Sequence, residues 1–309
     1  METFPWSATR ARTFQECRRK YYYRYHLAPL GRRPDAPPEA CVAHRLKDLV
    51  GLEAWAGDLV HAVIEHVLNR WRAGRLVTED EVTAMASREL SRRFRNSFDY
   101  WEADPDSFTR RPVLLDVHYY RRDEPVSRER GAAIKETVVR SLQSFMRSEL
   151  AGRIRTVGRE NWRPIDRNAA ARVEGDILIL VKPDFAFVEG DRLYIVDWKT
   201  GKPDPFWEMV QVTCYAFYAQ EKWGYALPRI VPQVVHLYPE FRDGEAAYTE
   251  ESIRNVMLFI RESQDELGSL LDTEDLPSVE RFPYTDDCGR CRWCAFRGMC
   301  EGSCRQEEK

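Results

Sequence analysis

The stretch of sequence that decides the fold is PDFAFVEGDRLYIVDWK, which runs from Pro183 to Lys199. Apolar and aromatic residues lie on both sides of a polar break at 189–192, a pattern typical of two strands joined by a tight turn. Gly190 suits the first central position of a two-residue II′ turn. We therefore predict a β-hairpin within 176–199, with Gly190 and Asp191 as its loop.

This register places two acidic residues opposite each other. Asp184 then faces Asp197, with the two Cβ atoms about 4.5–5.5 Å apart. Like charges at that distance repel unless a cation lies between them. Lys199 points to the same face as Asp197 because side chains alternate along a strand. The pattern indicates a site for Mg²⁺ or Mn²⁺, although a solvated polar strand end remains the alternative when the hairpin is taken alone.

The segment after the hairpin predicts a helix. Residues 200–205 are rich in turn formers, whereas 206–222 contains neither Gly nor Pro, so we predict a helix over 206–222. Gln211 and Tyr215 then lie one turn apart on one face. In this order and spacing, the acidic pair, the lysine and the Gln-x-x-x-Tyr pair resemble the core of PD-(D/E)XK nucleases of the RecB-like branch.

The resemblance implies both a fold and a set of site residues. The fold is α/β, a restriction-endonuclease-like core with a mixed β-sheet flanked by helices. The implied catalytic residues are Asp184, Asp197, Lys199, Gln211 and Tyr215. The implied ligands of Mg²⁺ or Mn²⁺ are His61, Asp184, Asp197 and the backbone carbonyl of Trp198.

His61 enters this set through the resemblance. The segment Gly57–His61 is predicted to open a helix whose apolar residues recur at helical spacing. That helix resembles the one that supplies a metal-binding histidine in the RecB-like branch. His66, on the same helix, is expected only to pack.

Cysteine spacing predicts a second metal centre. The chain has eight cysteines, and a group of them crowds its end: Cys288, Cys291, Cys294, Cys300 and Cys304. With Cys17, the pattern resembles the iron–sulfur members of the same branch, which implies a structural [4Fe–4S] cluster held by Cys17, Cys291, Cys294 and Cys300. Whether Cys288 or Cys304 replaces one of these ligands stays open, as does a structural Zn²⁺ held by the local thiols alone.

A basic and aromatic segment lies near the N-terminus. Its residues Arg18, Arg19, Lys20 and Tyr22 combine cations for phosphate with an aromatic ring for a base. We expect this segment to contact DNA. The alternative is that the tyrosines pack inside and the arginines are solvated around them.

Composition bounds the rest of the interpretation. The chain has 309 residues, 43% of them hydrophobic, and a net charge of −3. This balance suits a globular core and excludes a generally basic DNA-coating protein. We expect a cytoplasmic protein without membrane spans. We predict one nuclease domain over 1–309, a mainly helical insertion over 73–160, and a cluster region that joins 277–309 to 1–30.

The function expected from the resemblance is metal-dependent hydrolysis of DNA. We expect an exonuclease that favours single-stranded DNA or free ends, in DNA repair and recombination or in CRISPR and antiviral defence. Its expected partner is a helicase or a CRISPR adaptation complex. The alternatives are a catalytically silent nuclease-fold subunit that binds DNA, and a zinc-stabilised nucleic-acid-binding module.

Overall fold

The computed structural model describes residues 5–102, 111–121, 124–164, 169–174, 177–245, 248–271 and 276–300. Cys304 lies outside these ranges. Helices and short sheets alternate along the described chain, which confirms the predicted α/β class. Among the described helices, none is long and apolar enough to cross a membrane.

Helices make up most of the secondary structure. Their bounds are α1 (Ala8–Glu16), α2 (Arg18–Tyr22), α3 (Ala28–Leu30), α4 (Pro38–Leu46), α5 (Leu52–Arg72), α6 (Glu79–Glu102), α7 (Asp116–Tyr120), α8 (Arg128–Arg147), α9 (Glu149–Thr156), α10 (Pro205–Trp223), α11 (Glu250–Leu270) and α12 (Cys288–Cys291). A π-helical turn, Tyr23–Leu27, follows α2 directly.

The strands form small sheets. Their bounds are β1 (Leu49–Val50), β2 (Leu114–Leu115), β3 (Ala170–Val173), β4 (Ile177–Leu180), β5 (Phe185–Glu189), β6 (Arg192–Lys199), β7 (Ile230–His236) and β8 (Arg242–Glu245). The main sheet has the order β5-β6-β7-β8, in which β6 and β7 are parallel and the outer pairs antiparallel. It is therefore a mixed sheet, as predicted.

The central hairpin follows the predicted register. Glu189 pairs with Arg192, so Gly190 and Asp191 form the loop, and Gly190 has a φ of +63°. Only glycine adopts this angle without strain, which explains its place at the turn. Strand β6 is buried from Leu193 to Trp198 because it lies between β5 and β7.

The N-terminal limit of the predicted hairpin was wrong. Residues 177–180 form β4, which pairs with β3 in a separate antiparallel sheet. The chain leaves that sheet at 181–184 and enters the main sheet at Phe185. The sequence does not indicate this change of sheet, because a buried apolar strand shows the same residue pattern whichever strand it pairs with.

Helix α10 connects the parallel strands β6 and β7. Its start is capped by Asp204, whose side chain accepts a hydrogen bond from the Trp207 N–H at 3.4 Å, and Pro205 occupies the first turn. Gly224, with a φ of +70°, ends the helix. These signals match the predicted helix to within one residue at each end.

The chain divides into two compact units. The first comprises Met1–Ser7, Leu52–Arg95 and Glu124–Leu258, and contains β3 to β8 with α5 and α10. The second comprises Ala8–Gly51, Asn96–Asp123 and Phe259–Lys309. The prediction of one nuclease domain with an insertion over 73–160 stays a prediction, and the described part of that interval is largely helical.

An aromatic core holds the second unit together. Tyr22 packs on Phe282 with ring centroids 5.3 Å apart, and Tyr23 packs on Phe296 at 5.7 Å. All four side chains are buried. The N-terminal helices and the cysteine-rich segment therefore share one core, and its hydrophobic burial favours their association.

Candidate active site

The acidic pair lies at the edge of the main sheet. Phe185 pairs with Val196 at the end of the β5–β6 ladder, so one further step along the same register brings Asp184 opposite Asp197. Asp197 is only 3% exposed, whereas Asp184 keeps some access to solvent. The hairpin thus presents one buried and one partly exposed carboxylate together.

Asp197 is held by three side chains. Its Oδ1 accepts hydrogen bonds from the Tyr215 hydroxyl at 2.8 Å and from the Gln211 amide at 3.2 Å. Nζ of Lys199 lies 2.5 Å from its Oδ2. The two strand residues and the two helix residues predicted for the site therefore meet in one network.

Gln211 connects the lysine to the tyrosine. Lys199 Nζ donates to Gln211 Oε1 at 2.7 Å, and Gln211 Nε2 donates to the Tyr215 hydroxyl at 2.5 Å. An amide suits this position because it carries an acceptor and two donors on one planar group. The Tyr215 hydroxyl also lies 3.2 Å from the Lys182 carbonyl oxygen, a neighbour that the sequence analysis did not identify.

His61 approaches the hairpin from α5. Its Nδ1 lies 2.9 Å from Oδ1 of Asp184, whose Oδ2 accepts a hydrogen bond from the Trp198 backbone N–H at 2.8 Å. The predicted helix opening at Gly57 was wrong, because α5 already begins at Leu52. Gly57 instead allows close packing, since a Cβ there would lie 2.9 Å from Oγ1 of Thr200.

The electrostatics of the site favour a cation. Burial raises the pKa of Asp197, the Asp184 charge raises it further, and the Lys199 ammonium opposes both effects without cancelling them. Burial lowers the pKa of His61, but the hydrogen bond and charge of Asp184 outweigh this effect, so the net shift is upward from 6.5. Burial also raises the pKa of Tyr215 well above 10, so its hydroxyl stays neutral and donates.

The donor set is chemically suited to a hard divalent ion. Oδ2 of Asp197 is buried and has no well-aligned hydrogen bond among the described residues, despite the nearby lysine. Nδ1 of His61 and Oδ1 of Asp184 lie at hydrogen-bond distance, 2.9 Å apart, so both side chains would be available to one bound ion. Within the described ranges, however, no three His, Cys, Asp or Glu side chains are already arranged to hold a metal.

A further polar pair lies beside the lysine. His236 pairs with Lys199 across β6 and β7, and its Nε2 lies 3.5 Å from Oε2 of Glu208 on α10. Glu208 stands one turn before Gln211, so its helical spacing was visible in the sequence. Its histidine partner was not, because the parallel pairing of β7 is a tertiary contact.

The predicted cluster cysteines all lie in the second unit. Cys17, Cys291, Cys294 and Cys300 are free thiols. Burial raises the pKa of Cys291 and of Cys294, and the charges of Cys17 and Cys300 raise both further. Cys288 is disulfide-bonded. The choice between an iron–sulfur cluster and Zn²⁺ stays a prediction.

The basic N-terminal segment makes contacts within its own unit. Arg18 pairs with Glu266, and Arg19 donates to the Phe282 carbonyl oxygen at 2.7 Å. Lys20 lies 3.5 Å from Glu16 and stays partly exposed. Tyr22 is 5% exposed, so its ring is covered by the core rather than open to a base.

The sequence matches a known protein family over nearly the whole chain. Residues 5–301 match the family described as the PD-(D/E)XK nuclease superfamily. The match includes the hairpin, α5, α10 and the described cysteine-rich segment. No curated protein sequence matches the chain significantly.

Proposed function

The chain belongs to the PD-(D/E)XK nuclease superfamily, and from this premise we propose that it is a metal-dependent deoxyribonuclease. The observation that carries the proposal is the network around Asp197. Asp197 is a buried carboxylate with a raised pKa, held by Tyr215, Gln211 and Lys199. Burial of a carboxylate lowers the stability of the fold, and such perturbed groups cluster at functional sites.

Each residue of the site has a separate role in the proposed hydrolysis of a phosphodiester bond. Bound Mg²⁺ or Mn²⁺ would supply the Lewis acidity that polarises the phosphate and activates a water. His61, Asp184, Asp197 and the Trp198 carbonyl would hold that ion. Lys199, fixed by Gln211, would orient the attacking water and offset the charge that develops on the phosphate.

Gln211 and Tyr215 act by positioning in this proposal. The neutral Tyr215 hydroxyl and the Gln211 amide both donate to the same oxygen of Asp197, which leaves Oδ2 directed to Lys199. Hydrogen bonds fix Tyr215, Gln211 and Asp197 in position before substrate binds. Little reorganisation of these side chains is therefore required during the reaction.

The finer parts of the proposal rest on the sequence pattern. We propose membership in the RecB-like branch, an exonuclease that favours single strands or free ends, and a [4Fe–4S] cluster that fastens the ends of the second unit. A helicase or a CRISPR adaptation complex is the proposed partner. In addition to burial, the charges of Cys17 and Cys300 raise the pKa of Cys291 and of Cys294, which supports a common centre.

The first experiment measures degradation of end-labelled single- and double-stranded DNA with Mg²⁺ or Mn²⁺. The protein is purified without oxygen, and Asp197→Asn is compared with Asp191→Asn, an exposed aspartate in the loop of the same hairpin. We expect metal-dependent cleavage in the parent and Asp191→Asn and a loss of at least about 10³-fold in Asp197→Asn.

Two outcomes would contradict the proposal. Equal cleavage by Asp197→Asn and the parent would remove Asp197 from the reaction. Absence of cleavage in a folded parent with its cysteine centre intact would favour the catalytically silent subunit instead.

A further inference from the structure

An exposed tryptophan stands in the cysteine-rich segment. Trp293 lies between Cys291 and Cys294 and is 52% exposed. A single exposed aromatic residue is common on protein surfaces. Trp293 differs because the guanidinium groups of Arg121 and Arg292 lie 5.5 and 5.6 Å from its ring centroid.

The segment that carries Trp293 is fixed to α7. The Tyr120 hydroxyl donates to the Ala295 carbonyl oxygen at 2.5 Å and accepts from the Gly298 N–H at 3.2 Å. The Arg297 guanidinium stacks 3.5 Å from the Tyr120 ring, and Phe296 is fully buried. These contacts fix the chain directly after Trp293 and reduce the entropy that ordering Trp293 on a ligand would cost.

The chemistry of this surface fits single-stranded nucleic acid. An exposed indole ring can stack on a base, which is accessible only where the strand is unpaired, and the guanidinium groups can contact the neighbouring phosphates. Both guanidinium groups lie over the Trp293 ring at cation–π distance, and 52% of the side chain remains exposed.

We propose that Trp293, Arg121 and Arg292 form a stacking site for single-stranded DNA on the second unit. This inference rests on the proposed nuclease function for the identity of its ligand. Cys291 and Cys294 directly flank Arg292 and Trp293, so a metal centre bound by these thiols would also set the position of the stacking site. The site uses other residues than the basic segment at Arg18–Lys20, where Arg18 pairs with Glu266 and Arg19 donates to the Phe282 carbonyl oxygen.

The test measures DNA binding without cleavage. Fluorescence anisotropy of a labelled oligothymidylate is recorded with EDTA present, so that affinity is read independently of activity. Trp293→Ala is expected to weaken binding about 10- to 100-fold, and Trp293→Phe to retain most of it, because an aromatic face remains. Binding of a blunt duplex should change little in either variant.

Two further variants separate stacking from general surface effects. Arg292→Gln should weaken single-strand binding and lower the slope of log affinity against log salt by about 0.7, the value for one phosphate contact. Phe241→Ala removes an aromatic side chain that is 42% exposed on the first unit, and it should leave single-strand affinity unchanged. Iron, sulfide and zinc contents of each variant must equal those of the parent.

The outcomes distinguish this inference from the proposed function. If the parent cleaves DNA and Trp293→Ala binds single strands as tightly as the parent, the stacking site is wrong and the nuclease stands. If Trp293→Ala instead loses only a protein partner, the surface is a protein interface and the inference is overturned. Loss of single-strand affinity in Trp293→Ala with rescue by Trp293→Phe supports the site even if no cleavage is detected.

Discussion

Nδ1 of His61 lies 2.9 Å from Oδ1 of Asp184, although the two residues are 123 positions apart in the chain. Helix α5 thus delivers an imidazole to the edge of a hairpin formed far later in the sequence. The contact is a hydrogen bond that brings both side chains to one place, where a shared cation would find both donors, and it distinguishes His61 from the other histidine of the same helix.

His61→Ala should raise the metal concentration needed for half-maximal cleavage by at least about tenfold. Removal of a residue that only hydrogen-bonds to a ligand already lowers metal affinity by about that factor, and removal of a direct ligand should lower it more. Titration of Mg²⁺ and Mn²⁺ in the DNA assay measures this change. His66→Ala is the matched control, because His66, which was expected to pack, is instead exposed on the same helix. An identical metal dependence in both variants would exclude His61 as a ligand.

Gln211→Ala should lower the cleavage rate about 100-fold, because it removes the acceptor of Lys199 and a donor to Asp197 at the same time. Single-turnover rates at saturating DNA measure the effect, so that weaker binding does not contribute. Gln220→Ala, at an exposed position of the same helix, should behave as the parent. A rate for Gln211→Ala within twofold of the parent would argue against the positioning role.

Gly57→Ala tests the packing of α5 against the segment that follows Lys199. A Cβ at Gly57 would lie 2.9 Å from Oγ1 of Thr200, which is closer than ordinary contact, so Thr200 must move. We expect the cleavage rate to fall several-fold, because displacement of Thr200 would also shift the neighbouring Lys199, and catalysis is sensitive to small displacements of its groups.

The control for this change is Gly131→Ala in helix α8, where a Cβ would meet nothing within 4 Å. Alanine should stabilise that helix by about 0.5–1 kcal/mol and leave activity unchanged. Thermal unfolding and cleavage are measured on both variants. The interpretation of Gly57 fails if its alanine variant is as active as the Gly131 variant.

Cys17→Ala should release the metal of the proposed cysteine centre, whereas Cys41→Ala should not. Iron, acid-labile sulfide and zinc are quantified in protein purified without oxygen. Iron with sulfide that is lost only in Cys17→Ala supports the cluster, and zinc retained in both variants supports the alternative built from the C-terminal thiols. The Sγ of Cys17 also accepts a hydrogen bond from the Lys20 N–H at 3.4 Å, but loss of such a cap costs only about 1 kcal/mol and releases no metal.

The sequence-based predictions agree best with the structure for features that depend on residues close together in the chain. The turn at Gly190, the hairpin register and the bounds of α10 all follow from residues a few positions apart, whose backbone preferences and side-chain alternation are readable in one dimension. The order of Asp184, Asp197, Lys199, Gln211 and Tyr215 was also sufficient to indicate the superfamily.

The errors occurred where partners are distant in the chain. Residues 177–180 joined β3 rather than the hairpin. For Tyr22 the sequence left DNA contact and internal packing open, and its ring packs on Phe282, whereas contact of the basic segment with DNA stays a prediction. Hydrophobic periodicity predicts that a residue is buried or lies in a strand, but it does not identify the residues or strands that it contacts.

The sequence by itself therefore determined the hairpin, the active-site helix, the α/β class and the chemical types of the site residues. The resemblance implied that His61 and Asp184 share one ion, but only the tertiary structure decided that their side chains are in direct contact, that Gln211 links Lys199 to Tyr215, and that Trp293 remains exposed. The physical reason is that turns and alternation depend on neighbouring backbone angles, whereas these contacts depend on how separate elements pack, which is decided by the free energy of the whole chain.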